Sequence, residues 1–103
     1  MIIAFVDNIP VGLVAYYNNP APNFSYLSII CVKKEFRGYG IGKNLEIKCL
    51  NNCKNFNSSG LTLNMRVSNQ KLLKSRLELG YKIVKEYKSH YGSDVLADLE
   101  YLF

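Results

Sequence analysis

The sequence contains no tryptophan and a single histidine, His90. With His90 as the only imidazole, no metal is expected. The cysteines, Cys31, Cys49 and Cys53, are odd in number. Cys49 and Cys53 stand four apart and share a helix face, which reads as small core residues in a reducing, cytoplasmic setting. No apolar run approaches the ~18 residues of a membrane helix. The first residues carry neither a basic segment nor a small-residue cleavage site, so they do not read as a signal peptide. No internal repeat or low-complexity tract occurs. Carboxylates are also unevenly missing: none lies between Asp7 and Glu35.

What is present is a chain of 103 residues, which predicts one domain over 1–103 with a modest core. The net charge is +5, and all thirteen Lys and Arg lie between Lys33 and Lys88. Only four acids, Glu35, Glu46, Glu78 and Glu86, fall in that interval. A field of this sign favours a polyanion or a phosphorylated ligand. The basic centre and eight tyrosines admit a nucleic-acid binder, but no recognition motif supports that reading.

Hydrophobic periodicity orders the chain. Residues 2–6 read as a strand, Asp7-Asn8 as a turn, and Val11 to Tyr17 as a second strand completing a hairpin. After the loop NNPAPN, Phe24 to Val32 reads as a third strand. From Ile41 the period lengthens, and Ile41, Leu45, Cys49, Cys53 and Phe56 trace one face of a helix. Leu61, Leu63, Met65 and Val67 alternate with polar residues as a strand. A short helix follows Ser68-Asn69, with Leu72, Leu73 and Leu77 inward and Gly80 as its C-terminal cap. YKIVKEYK and VLADLEYLF are two final strands, joined by a loop holding His90-Tyr91-Gly92. The order β-β-β-α-β-α-β-β predicts an α/β fold, a mixed sheet with helices packed on it.

Between the third strand and the first helix stands CVKKEFRGYGIGKNL, with Gly38, Gly40 and Gly42 alternating. A strand, a glycine loop and a helix N-terminus together make an anion site: the first helix amides lack partners, and glycine lets a phosphate come close. A P-loop is excluded, because Arg37 stands where its first glycine belongs and Asn44 where Ser or Thr must follow Lys43. A dinucleotide fingerprint fails as well, since Tyr39 or Leu45 would have to be glycine.

The segment Arg37-Gly38-Tyr39-Gly40-Ile41-Gly42, with Leu45 beyond it, resembles the signature of the GNAT superfamily of N-acetyltransferases, Gln/Arg-x-x-Gly-x-Gly/Ala. Ile30-Cys31-Val32 matches the strand before it, and Asn69, Gly80 and Tyr81 match a second family element downstream. The resemblance covers nearly the whole chain. It implies acetyl-CoA as cosubstrate, with the loop amides and Lys43 at the pyrophosphate, the main chain of Ile30, Cys31 and Val32 along the pantetheine arm, and Asn69 nearby. It further implies transfer of the acetyl group to a primary amine by direct attack. The first strand and two helices of the family are absent, which leads us to expect a homodimer or a companion segment over an uncovered sheet.

Three further departures concern catalysis. The tyrosine that commonly protonates the leaving thiolate is replaced by Arg76, seven residues beyond Asn69. The two usual general-base positions hold Tyr26 and Asn64. A guanidinium is a poor proton donor but can stabilise an anion. Tyr26, Ser28 and Arg76 are therefore the remaining catalytic candidates, Tyr26 or Ser28 by ordering a relay water. The absent carboxylates favour an acceptor that is a small-molecule amine or an α-amine. A CoA-binding module without catalysis is the alternative.

Overall fold

The structure, a computed structural model, describes residues 1–20, 22–90 and 92–103. Ala21 and Tyr91, in the two loops expected before the third and the last strands, lie outside the described residues. The strands are β1 (Ile2–Val6), β2 (Ile9–Asn19), β3 (Phe24–Val32), β4 (Gly60–Arg66), β5 (Lys82–Lys88) and β6 (Val95–Leu102). The helices are α1 (Ile41–Asn55) and α2 (Gln70–Leu79). A 3₁₀ turn over Lys34–Phe36, unforeseen in the sequence pattern, leads from β3 into the glycine loop.

The six strands form one sheet in the order β1-β2-β3-β4-β6-β5. Asp7 and Asn8 close the first hairpin with φ of 49° and 66°, the left-handed pair that a two-residue turn matched to strand twist requires. Only β3 and β4 run parallel, because α1 carries the chain back across the sheet. Leu61, Leu63 and Met65 of β4 stand in register with Tyr101, Leu99 and Ala97 of β6, and this apolar face packs on both helices. The opposite face carries the intervening residues, among them Thr62 and Asn64 opposite Glu100 and Asp98.

The expected row of α1 is largely buried, whereas only one of the three leucines expected inward in α2 is. In α1 the buried residues are Leu45, Glu46, Cys49, Leu50 and Cys53, while Phe56 is the C-cap and is 78% exposed. In α2 Leu73 and Arg76 are buried, and Leu72 and Leu77 are exposed. Glu46 and Arg76 join the buried set through an ion pair between the helices, described below.

Candidate functional site

The strands β3 and β4 pair at only two positions, Ser25 with Leu61 and Tyr26 with Thr62. Beyond them the two strands part. In β3, Ile29 stands opposite Ala15 and Leu27 opposite Tyr16, so Ser28 is an extra residue in that strand. A bulge of this kind bends its strand and increases its twist, and here it sits where the strands separate. The second half of β3 is thereby left without a strand neighbour on the β4 side among the described residues.

A groove of about 580 Å³ runs beside this opening. It gathers Ile30, Cys31 and Val32 from β3, Arg37, Gly38, Gly40, Ile41, Gly42 and Lys43 from the loop and α1, and Asn69, Lys71, Leu72, Ser75 and Arg76 around α2. Most of the sequence-derived binding residues thus come together. Tyr39 is the exception: it does not line the groove and is 77% exposed. Ser28 is exposed on β3, and His90 is exposed in the loop before β6.

The three glycines have separate reasons. Gly38 and Gly40 have φ of 87° and 80°, where a side chain is strained, so the turn itself requires them. Gly42 has no such backbone. A Cβ added there would meet Val32 Cγ2 at 3.6 Å, an ordinary contact. Folding does not explain that glycine, whereas a ligand approaching the helix end would. Gly40 caps α1 without a side-chain hydrogen bond, and Asn44 N–H is the donor to the Gly40 carbonyl, so the amides before Asn44 precede the helical ladder. No acid lies in the first turn of α1 or of α2. Lys43 and Lys71 stand there instead, so both helix ends offer positive potential to the groove. Arg37 Nε donates to the Val32 carbonyl at 3.0 Å and ties the loop back to β3.

Asn69 accepts a hydrogen bond from Leu72 N–H at 3.3 Å, so it is the N-cap of α2 as well as a groove residue. Arg76 is not a free cation in the cleft. Its Nη2 donates to Glu46 Oε1 at 2.7 Å and its Nε to Oε1 and Oε2 at 3.1 and 3.3 Å. The side chains are 6% and 7% exposed, so this is a buried, fork-shaped pair joining α1 to α2 at the groove wall. Arg76 Nη1 approaches Met65 Sδ at 3.7 Å. The Tyr81 hydroxyl lies buried beside the pair and makes no well-formed hydrogen bond. Burial raises its pKa, Glu46 raises it further, and Arg76 opposes. Cys49 is likewise pushed up, first by burial and then by Cys53. Glu46 was not singled out in the sequence, because it stands one residue off the Ile41–Leu45–Cys49 row.

On the opposite face of the sheet, four polar side chains cross four strands at the level where β3 and β4 part. Asn64 Nδ2 donates to the Tyr26 hydroxyl at 3.0 Å. Asp98 stands opposite Asn64 in register. Tyr87 donates to Asp98 Oδ1 at 3.0 Å. Desolvation, then the bond to Asp98, raises the Tyr87 pKa, and Tyr26 adds to the effect. The Tyr17 and Tyr26 rings meet with centroids 5.5 Å apart. Counting along motifs did not find Asp98. Its alternation with buried Ala97 and Leu99 was legible and assigns it to this face, but its neighbours come from other strands. Among the described residues, no cluster of His, Cys, Asp and Glu could hold a metal ion.

The model of the acetyltransferase (GNAT) domain family matches residues 1–95. No curated protein matches the chain by sequence. Among solved structures, a candidate streptothricin acetyltransferase from Bacillus anthracis str. Ames, in complex with acetyl coenzyme A, is 25% identical with a TM-score of 0.84. The match covers 98% of this chain and 60% of that one. Arabidopsis thaliana Naa50, in complex with the bisubstrate analogue CoA-Ac-MVNAL, is 22% identical with a TM-score of 0.82, covering 98% and 71%. The Escherichia coli ribosomal-protein-S18-alanine N-acetyltransferase is 15% identical with a TM-score of 0.85, covering 95% and 64%. The chain therefore spans about three fifths to seven tenths of these relatives.

Proposed function

Since the chain belongs to the GNAT acetyltransferase family, we propose that it is an acetyl-CoA-dependent N-acetyltransferase acting on a small-molecule amine or an α-amine. The observation that carries this reading is Gly42. It lines the groove at the N-terminus of α1, its backbone does not need glycine, and a ligand that approaches the first amides of the helix would. In this reading the pyrophosphate of acetyl-CoA lies on the amides of 41–43, with Lys43 and Lys71 beside it. The pantetheine arm runs along the unpaired side of Ile30 to Val32, which brings the thioester to the opening between β3 and β4. A main-chain amide of β3 polarises the carbonyl there. The acetyl-CoA complex of the Bacillus anthracis protein supports the cosubstrate.

The acceptor follows from acid–base chemistry. A lysine ε-amine, with a pKa of roughly 10.4, needs about 4.6 kcal/mol to be neutral at pH 7, whereas an α-amine near 8 needs only ~1.4 kcal/mol. The groove side offers no unpaired carboxylate to make up the difference, because Glu46 is bound to Arg76. The bisubstrate analogue CoA-Ac-MVNAL in the Naa50 complex supports this class. The second reading, a CoA-binding module without turnover, rests on the same pair, since the position of the usual phenol acid is occupied by a neutralised guanidinium. A cytoplasmic location belongs to the proposal too, supported by three free cysteines.

The test is calorimetric binding of acetyl-CoA to wild type, Gly40→Asn and Gly40→Asp. A Cβ at Gly40 meets nothing within 4 Å, so both variants bear the same backbone cost. Only Asp adds a charge facing the pyrophosphate. A unit-charge pair at 4 Å is worth about 1 to 4 kcal/mol between water and a partly screened surface. Asp should weaken binding at least about fivefold beyond Asn. Equal affinities of the two variants would refute the site, and thiol release with α-amine acceptors would separate transferase from binding module.

A further inference from the structure

The second half of the reaction needs a place for the acceptor amine and a group to take its proton. The groove face does not supply that group. The opposite face does, at the same level of the sheet. Tyr26 belongs to the last residue pair before β3 and β4 diverge. Asn64 holds its hydroxyl, and Asp98 stands one strand further on. Tyr87 fixes Asp98 through Oδ1 and leaves Oδ2 without a hydrogen-bond partner among the described residues. No cation lies within ion-pairing distance of Asp98 among the described residues, although Lys85 stands opposite it in register on β5. A half-buried carboxylate, held through one oxygen, thus stands on this face next to Asn64, whose amide reaches Tyr26 at the start of the opening. Tyr17 and Tyr26 supply an apolar wall next to it.

We propose that the acceptor amine reaches the thioester from this face and that Asp98 is the catalytic carboxylate that orients it and takes its proton. Tyr87 is a positioning residue, acting through Asp98. The inference rests on the acetyltransferase reading above. The neutral amine donates one N–H to Asp98 Oδ2, and its lone pair attacks the thioester carbonyl carbon. As the C–N bond forms the nitrogen becomes strongly acidic, and its surplus proton passes to the Asp98 carboxylate. The C–S bond breaks, and CoA leaves as the thiolate. The proton on Asp98 then returns through solvent to the thiolate, so that amine and acetyl-CoA give amide and CoA thiol. Asp98 receives the proton only after attack. That is the counterpart of an acceptor already partly neutral at pH 7.

The experiment compares wild type, Asp98→Asn and Tyr87→Phe in acetyl-CoA binding and in acetyl transfer to alanylglycine amide, glucosamine and an Nα-acetyl-lysine amide. Asp98→Asn keeps the shape and can still accept from Tyr87. Acetyl-CoA affinity should be unchanged, while kcat/KM for alanylglycine amide or glucosamine falls by about 10²-fold or more. Tyr87→Phe should lower kcat several-fold with KM for acetyl-CoA unaltered. Thermal midpoints within a few degrees of wild type exclude a folding defect. Undiminished transfer by Asp98→Asn overturns the inference while leaving acetyl-CoA binding intact. Loss of acetyl-CoA binding in Asp98→Asn overturns it as well, since the residue would then serve the other half of the site. Wild type that binds acetyl-CoA but acetylates none of the three amines also overturns it, and a wild type that does not bind acetyl-CoA overturns the reading beneath it.

Discussion

Replacing Arg76 by alanine should cost this protein a large part of its stability, and the double replacement Glu46→Leu/Arg76→Leu should restore it. Both side chains are about nine-tenths withdrawn from water and joined by three contacts of 2.7 to 3.3 Å. Cutting away the guanidinium strands a carboxylate between α1, α2 and the sheet. Breaking a buried pair from one side costs about 3–5 kcal/mol. A domain of this length has a total of roughly 5–15 kcal/mol. At about 4–5 °C per kcal/mol, the midpoint should drop by about 12–25 °C. Removing both charges takes away the stranded group along with its partner. Two leucines at these helix positions then pack in the apolar surroundings, and the expected change is between neutral and about 4 kcal/mol stabilising. Urea unfolding of Glu46→Leu, Arg76→Leu and the double closes a thermodynamic cycle, whose coupling should exceed about 2 kcal/mol. A loss below about 1 kcal/mol in Arg76→Ala, as for a surface pair, would refute the reasoning. The double variant also separates roles: with the fold retained, its kcat tells whether Arg76 does anything for the leaving thiolate beyond tying the helices.

Three other outcomes can be checked in solution. Cys31 is exposed while Cys49 and Cys53 are buried and Cys49 is held protonated, so a native-state thiol titration should show one fast-reacting sulfur; three fast thiols would contradict the packing of α1. The Tyr81 phenol has a folded pKa above its ordinary value of 10.0, so its contribution is full below pH 10 and is lost as the unfolded chain ionises above it. Stability should therefore fall by up to about 1.4 kcal/mol per pH unit above 10, and Tyr81→Phe should flatten that limb in alkaline denaturation curves. Asn69→Ala removes the cap on α2 and should cost about 1 kcal/mol by chemical denaturation, with acetyl-CoA affinity telling whether the amide also serves the groove.

Much of this molecule was determined by short-range pattern. Strand alternation, the turn at Asp7-Asn8 and the glycines at 38 and 40 are local statements about backbone freedom and one-sided burial, and a chain cannot satisfy them in many ways. The glycine loop was legible for the same reason, since the anion binding proposed for it resides in consecutive amides and the helix that follows. What required the tertiary structure was every property shared between distant segments. Glu46 and Arg76 are thirty residues apart, and each alone reads as a surface charge. Only the packing of α1 beside α2 makes them a desolvated pair. Asp98 was likewise an ordinary residue of an alternating strand. The order β3-β4-β6-β5 sets it beside Asn64 and Tyr87, because sheet neighbours are chosen by crossover and register rather than by sequence proximity. A periodicity tells which face a side chain takes; which other side chains share that face is decided only when the strands are laid side by side.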